Sequence, residues 1–228
     1  VAAAELTDLE RLAQLKAAAA AAANRPSPSQ PPPPPPAMRV ILDTDMGGGG
    51  CQDVDDVGFL SIANAMADNG EVEILAIVLD TLADAAVAAI SVVQEYYGRQ
   101  VPIGRYNTSL PALHLRDVHH YTSVLAEGWP HTVSARAELP DAVDVYREAL
   151  AAQPDDSVVV VVVGPLTNIA ELLRSPPDAH SPLGGVALVA AKVKLLAVMS
   201  GRFGGDYNGD GFVDPVGQWQ ECNMCECD

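Results

Sequence analysis

Ser157-Val158-Val159-Val160-Val161-Val162-Val163-Gly164-Pro165-Leu166-Thr167-Asn168 decides the fold. Consecutive valines are stiff at χ1 and pack well on a pleated surface. A run with no polar alternation suits a strand covered on both faces, as in a parallel sheet. Gly164-Pro165 breaks the strand, and Thr167-Asn168 carries a helix-start signal. The same rhythm recurs on the N-terminal side. Arg39–Leu42 is a short apolar strand ending in Asp43, Val57–Asn69 an apolar-periodic helix and Val72–Leu79 a second strand. Leu82–Tyr97 reads as a helix and Val101–Ile103 as a brief strand; residues 104–139 are less regular, and Asp141–Ala152 is helical. On the C-terminal side, Asn168–Arg174 continues as a helix and Val193–Met199 as another strand. Strands alternating with helices build βαβ units, so the expected class is α/β, an open, mostly parallel sheet with flanking helices. Such sheets bind ligands at the carboxyl ends of their strands. That rule gathers Asp43 to Asp56, Val163 to Asn168 and the segment after Met199 around one crevice.

The chain has 228 residues, 49% hydrophobic and 19% charged, enough for one sizeable core. Residues 1–24 read as an Ala-rich helical segment, with Leu6, Leu9, Leu12 and Leu15 at spacing three. Residues 25–37 hold eight of the 18 prolines and read as an extended linker. Residues 38–228 form the main domain. The formal net charge is −17, and because acids and bases balance in residues 1–37 the whole excess lies in that domain. So acidic a surface repels phosphate backbones, which argues against nucleic acid as a partner and favours divalent cations and neutral substrates. No apolar run approaches the roughly 20 residues of a membrane span, so no membrane partner is expected either. Four cysteines make no disulfide framework for a domain of this size. Cys51 stands alone, and Cys222, Cys225 and Cys227 lack a fourth ligand for zinc, so a reducing, cytoplasmic compartment is expected. The first residue is Val1, which leaves room for an upstream targeting segment.

Asp43-Thr44-Asp45-Met46-Gly47 runs through a glycine stretch, Gly48–Gly50, to Cys51-Gln52-Asp53-Val54-Asp55-Asp56: five carboxylates with no base among them. Like charges this close either raise one another's pKa or bind a cation, and hard carboxylate oxygens on a glycine-rich loop suit Ca²⁺ or Mg²⁺ rather than zinc. A second acidic loop, Asp206-Tyr207-Asn208-Gly209-Asp210-Gly211-Phe212-Val213-Asp214, places oxygens of Asp206, Asn208, Asp210 and Asp214 as a calcium loop does, although Gly217 stands where an EF-hand has Glu. His114, His119, His120, His131 and His180 sit in no recognisable motif.

Three ordered motifs carry a family resemblance. Asp43-Thr44-Asp45-Met46-Gly47 with the later Asp53-Val54-Asp55-Asp56, Gly164-Pro165-Leu166-Thr167-Asn168 after a strand, and Val198-Met199-Ser200-Gly201 followed by Trp219-Gln220-Glu221-Cys222-Asn223 together resemble the inosine/uridine-preferring nucleoside hydrolases. Gly48–Gln52 replaces a single Asn of the family motif, a four-residue expansion. The resemblance implies hydrolysis of the N-glycosidic bond of a small-molecule ribonucleoside, with Ca²⁺ held by Asp45, Asp56 and the Val163 carbonyl. It further implies Asp45 as general base, Asp55, Asn208, Glu221 and Asn223 as ribose contacts, and Asp43 as support behind the cluster. It also implies homo-oligomers. The family's later calcium-ligating Asp and leaving-group His have no counterpart here, so the resemblance implies an N-terminal portion whose C-terminal part is missing, with little or no turnover by itself. Two rivals remain at this point. One is a Mg²⁺-dependent phosphatase resembling the haloacid dehalogenases, with Asp43 as nucleophile; the other is a non-catalytic calcium-binding or scaffold protein using residues 206–214 and the proline rod.

Overall fold

The computed structural model describes residues 14, 16, 35–47, 54–106, 121–133, 139–200, 202–205 and 214–220. The chain divides into two compact units, Val1–Pro35 and Pro36–Asp228, the boundary falling inside the proline run. Residues 14 and 16 are helical, and the rest of the expected N-terminal helix and linker, up to residue 34, lies outside the described residues.

The second unit runs β1 (Met38–Thr44), α1 (Asp55–Asp68), β2 (Val72–Leu79), α2 (Asp84–Tyr96), β3 (Ile103–Arg105), α3 (Tyr121–Gly128), α4 (Ala142–Ala151), β4 (Val158–Val162), α5 (Thr167–Arg174), α6 (Gly185–Lys192) and β5 (Val193–Val198). These five strands form one sheet in the order β3-β2-β1-β4-β5, every pairing parallel. A separate antiparallel pair follows, β6 (Arg202–Gly205) and β7 (Asp214–Gln220). The α/β class and the parallel sheet are as the valine run indicates. Among the described residues, no helix is long and apolar enough to cross a membrane.

Several elements differ from the sequence reading, among them the β6–β7 pair, which it does not anticipate. β3 lies two residues later than expected because Pro102 has no amide hydrogen; its carbonyl accepts from Ile77 N–H at 2.9 Å, and the ladder starts with Ile77 opposite Ile103. α3 lies inside the region read as irregular. α6 has no counterpart in the sequence reading, since no turn residue separates Lys192 from Val193 and the helix passes directly into the strand. The start of α6 is marked by close approach instead: a Cβ on Gly185 would lie 1.7 Å from the Leu172 carbonyl oxygen of α5.

Strand alternation divides the core into two layers. Val40 and Leu42 of β1 face Leu60, Val87, Ile90 and Val93 of α1 and α2. Ile41 faces the other way, toward Val145, Tyr146, Ile169, Leu172 and Leu188 of α4, α5 and α6. Asp43 continues the Ile41 face, so the strand that supplies the core also delivers a carboxylate into its second layer.

That layer is fastened by Arg147 of α4, which is 1% exposed. Its guanidinium donates to Asp178 at 2.6 and 3.0 Å, to Ser175 Oγ at 2.8 Å, and to the Ser181 and Leu183 carbonyls at 3.2 and 2.8 Å. Arg147 holds the Asp178 carboxyl well below the usual carboxylate range. One planar fork thus satisfies most of the connection between α5 and α6. Replacing Arg147 by Met should lower the unfolding free energy in urea by about 3 kcal/mol, because those buried acceptors lose their donor; Lys, with a single ammonium, should recover only a small part.

Candidate active site

Register sets the site. Asp43 lies opposite Val78 of β2 and Val162 of β4. Just beyond, Asp80 N–H donates to the Thr44 carbonyl at 3.1 Å and Val163 N–H to the Asp43 carbonyl at 3.0 Å. Three segments therefore leave the sheet at one level. The chain builds outward from β1 through β2 to β3 and then returns to add β4 on the other side, so this level is the switch point where open α/β sheets form their crevice.

Asp43 is fully buried. Its Oδ2 accepts from the Tyr146 hydroxyl at 2.7 Å and its Oδ1 from Asn168 Nδ2 at 3.2 Å. Burial raises its pKa from the ordinary 3.8 to about 7, against the lowering effect of the two donors. The Tyr146 hydroxyl is in turn pushed well above its usual range by burial and by the neighbouring Asp43 charge. Thr44 projects to the opposite face, where its hydroxyl donates to Asp56 Oδ1. Asp56 is buried in the first turn of α1, and its amide donates to Asp55 Oδ1 at 3.0 Å. Both acids stand where the helix dipole favours negative charge. Asp55 itself is exposed and Asp45 half-buried at the crevice. Gly47, at φ +75°, turns the chain away and donates its N–H to the Tyr121 hydroxyl at 2.9 Å.

The structure adds a carboxylate that sequence reasoning missed. Asp80, directly after β2, is 2% exposed, and neither of its carboxylate oxygens has a hydrogen-bond partner among the described residues. Burial pushes its pKa well above the ordinary value, and the charges of Asp43, Asp45 and Asp56 push it further. The signal that marked Asp43, an acid at the carboxyl end of an apolar strand, was equally present in Val72–Asp80. Gly164 is the floor between these groups. A Cβ there would lie 2.7 Å from Asp80 Oδ2 and 2.9 Å from both the Cβ and the amide nitrogen of Asp45. The Gly of Gly164-Pro165 is thus required by close approach as well as by the turn.

The structure accordingly brings together Asp43, Asp45, Asp56 and Val163 from the expected set, with Asp55 at the rim. Asn208, Glu221 and Asn223 lie outside the described residues, as do Asp206 and Asp210 of the second loop; Asp214 opens β7 and pairs with Gly205. His131 and His180 are engaged elsewhere, the first at the Trp129 carbonyl and the second, through its amide, at Asp178. The donor chemistry fits a hard cation: buried carboxylates with an orphaned member. No three His, Cys, Asp or Glu side chains close into a metal cage among the described residues.

Two outcomes check this geometry. Gly164→Ala should destabilise the fold by about 1–3 kcal/mol in urea titration, since a backbone atom of Asp45 has nowhere to yield. The pH dependence has a definite sign. Between pH 3.8 and about 7 the folded chain keeps a proton on Asp43 that the unfolded chain releases, so this group's contribution to stability is full below 3.8 and lost as pH rises to about 7. In chelator, the fall in melting temperature across that window should be smaller for Asp43→Asn than for the wild type.

The family model described as inosine-uridine preferring nucleoside hydrolase matches residues 40–226. No curated protein matches the chain significantly. Among solved structures, the effector protein XOO4466 superposes with a TM-score of 0.56 at 20% identity, over 83% of this chain and 49% of its own. The type III effector protein XopQ, solved in complex with adenosine diphosphate ribose, gives 0.54 at 20% identity, over 96% of this chain and 54% of its own. A plant nucleoside hydrolase gives 0.48 at 24% identity, over 74% and 49%. The chain spans about half the length of each of these proteins.

Proposed function

This chain belongs to the inosine-uridine preferring nucleoside hydrolase family, and we propose that its acidic strand ends serve calcium-assisted hydrolysis of the N-glycosidic bond of a ribonucleoside. The observation that carries this reading is the convergence of Asp43, Asp45, Asp56 and Asp80 with Gly164 at the sheet's switch point. Asp45, Asp56 and the Val163 carbonyl would hold Ca²⁺, which when bound supplies Lewis-acid polarisation of a water and of the ribose hydroxyls.

The chain's own residues do the rest. Asp45, half-buried at the mouth, takes a proton from the attacking water as its oxygen bonds to the anomeric carbon. The C–N bond breaks with its electron pair leaving on the base, and the carboxylates below the sugar stabilise the oxocarbenium-like charge that develops. Asp56 is oriented by the Thr44 hydroxyl. Asp55, exposed at the rim, accepts a ribose hydroxyl, with Asn208, Glu221 and Asn223 assigned the remaining sugar contacts. Asp43 positions the cluster from behind. Its full burial and its two donors leave no oxygen facing a substrate, which weighs against the phosphatase reading with Asp43 as nucleophile.

An apolar hollow of about 660 Å³, lined by Val54, Val57, Tyr121, Leu125 and Trp129, adjoins the turn at Gly47 and offers aromatic surface for a base. The family's dimers and tetramers and a cytoplasmic location complete the proposal.

Asp45→Ala should lower reducing-sugar release from inosine or uridine by at least ~10²–10⁴-fold, with an unchanged far-UV spectrum. Near-normal turnover in that variant would refute the assignment. Phosphate release from sugar phosphates without nucleoside cleavage would favour the phosphatase instead.

A further inference from the structure

Among the described residues of the acidic group, Asp80 is the member with both carboxylate oxygens buried and lacking a hydrogen-bond partner. Asp43 has Tyr146 and Asn168, and Asp56 has Thr44. Asp80 has no donor for either oxygen among the described residues, although both atoms are closed off from solvent. Its charged neighbours are Asp43, Asp45 and Asp56, all of the same sign. A buried carboxylate in that setting is costly: its own backbone amide lowers its pKa only slightly against burial and three like charges, and among the described residues no arginine pairs with it. Packing alone would be better served by an apolar side chain, since the residue sits between Leu79 and the buried Thr81.

The orphaned Oδ2 of Asp80 packs close to Asp45: the ideal Cβ position of Gly164 is 2.7 Å from it and 2.9 Å from the Cβ and backbone nitrogen of Asp45. Val163, whose carbonyl the proposed calcium site uses, is the residue before that glycine. Asp80 therefore lies beside Asp45, close enough for the Asp45 charge to act on it, and comes from the neighbouring strand. Calcium takes six to eight oxygens, and Asp45, Asp56 and one carbonyl fall short of that number.

We propose that Asp80 is a ligand of the divalent cation at the end of β1, supplying from β2 a carboxylate beside Asp45, Asp56 and the Val163 carbonyl. This inference rests on the calcium reading of the proposed function and adds to it a residue that none of the three sequence motifs contains. It gives the aspartate a reason at a place where like charges surround it: mutual repulsion is exchanged for shared attraction to one cation.

The experiment is calorimetric titration of the full chain with calcium alone, paired with thermal melting in EDTA, for the wild type, Asp80→Asn, Asp80→Ser and Asp45→Asn. The expected result has opposite signs in the two measurements. Both Asp80 variants bind calcium roughly tenfold or more weakly, while their melting temperatures in EDTA equal or exceed that of the wild type. Wild-type affinity retained by both Asp80 variants but lost in Asp45→Asn would overturn this inference and leave the calcium reading standing. No calcium uptake by the wild type would overturn both. Lower melting temperatures in EDTA for both variants would show Asp80 to be a structural group and would also overturn the proposal.

Discussion

Repulsion among carboxylates at the end of β1 is the interaction on which the rest of this structure depends. Asp43, Asp45, Asp56 and Asp80 act on one another at close range, and three of the four are buried. The fold bears that cost through surrounding order. Tyr146 and Asn168 are delivered to Asp43 by α4 and α5, Thr44 reaches Asp56 at the start of α1, and the dipole of α1 favours its acidic first turn. A hydrophobic sheet held on both faces by helices keeps these groups from moving apart. The outcome is a site under electrostatic tension that a divalent cation would relieve.

Support for the tension is not evenly distributed. On the α4 side, polar anchors are abundant: Arg147 makes five short contacts, and Tyr146, the residue before it, reaches Asp43. One helical turn therefore links the cluster to the connection between α5 and α6. On the β2 side, the bonds of Asp80 among the described residues are made through its backbone, its amide donating to the Thr44 carbonyl. The contrast separates two kinds of acid: Asp43 is built into the scaffold, whereas Asp80 is positioned by the scaffold with its oxygens unspent.

Much of this was legible in the sequence because it rests on local chemistry. The valine run dictated a strand covered on both faces, the alternation of strands and helices dictated a parallel sheet, and Asp43 through Asp56 stood out as an acidic stretch at a strand end. What escaped had weak local signals. α6 merges with β5 because both are apolar and nothing punctuates the joint. Pro102 shifted β3 through a missing donor that matters only once a partner strand is present.

The sequence by itself determined the class of the fold, the acidic loop and the family motifs, since periodicity, propensity and charge are properties of short segments. Tertiary structure alone decided that Asp80, 35 residues from Asp45, belongs to the same site, and that Asp43 faces inward to Tyr146 and Asn168, which lie 103 and 125 residues away. The physical reason is the register of parallel strands. Which strand ends stand side by side is set by packing over the whole sheet, so charges that repel are forced together by contacts that no one of their segments contains.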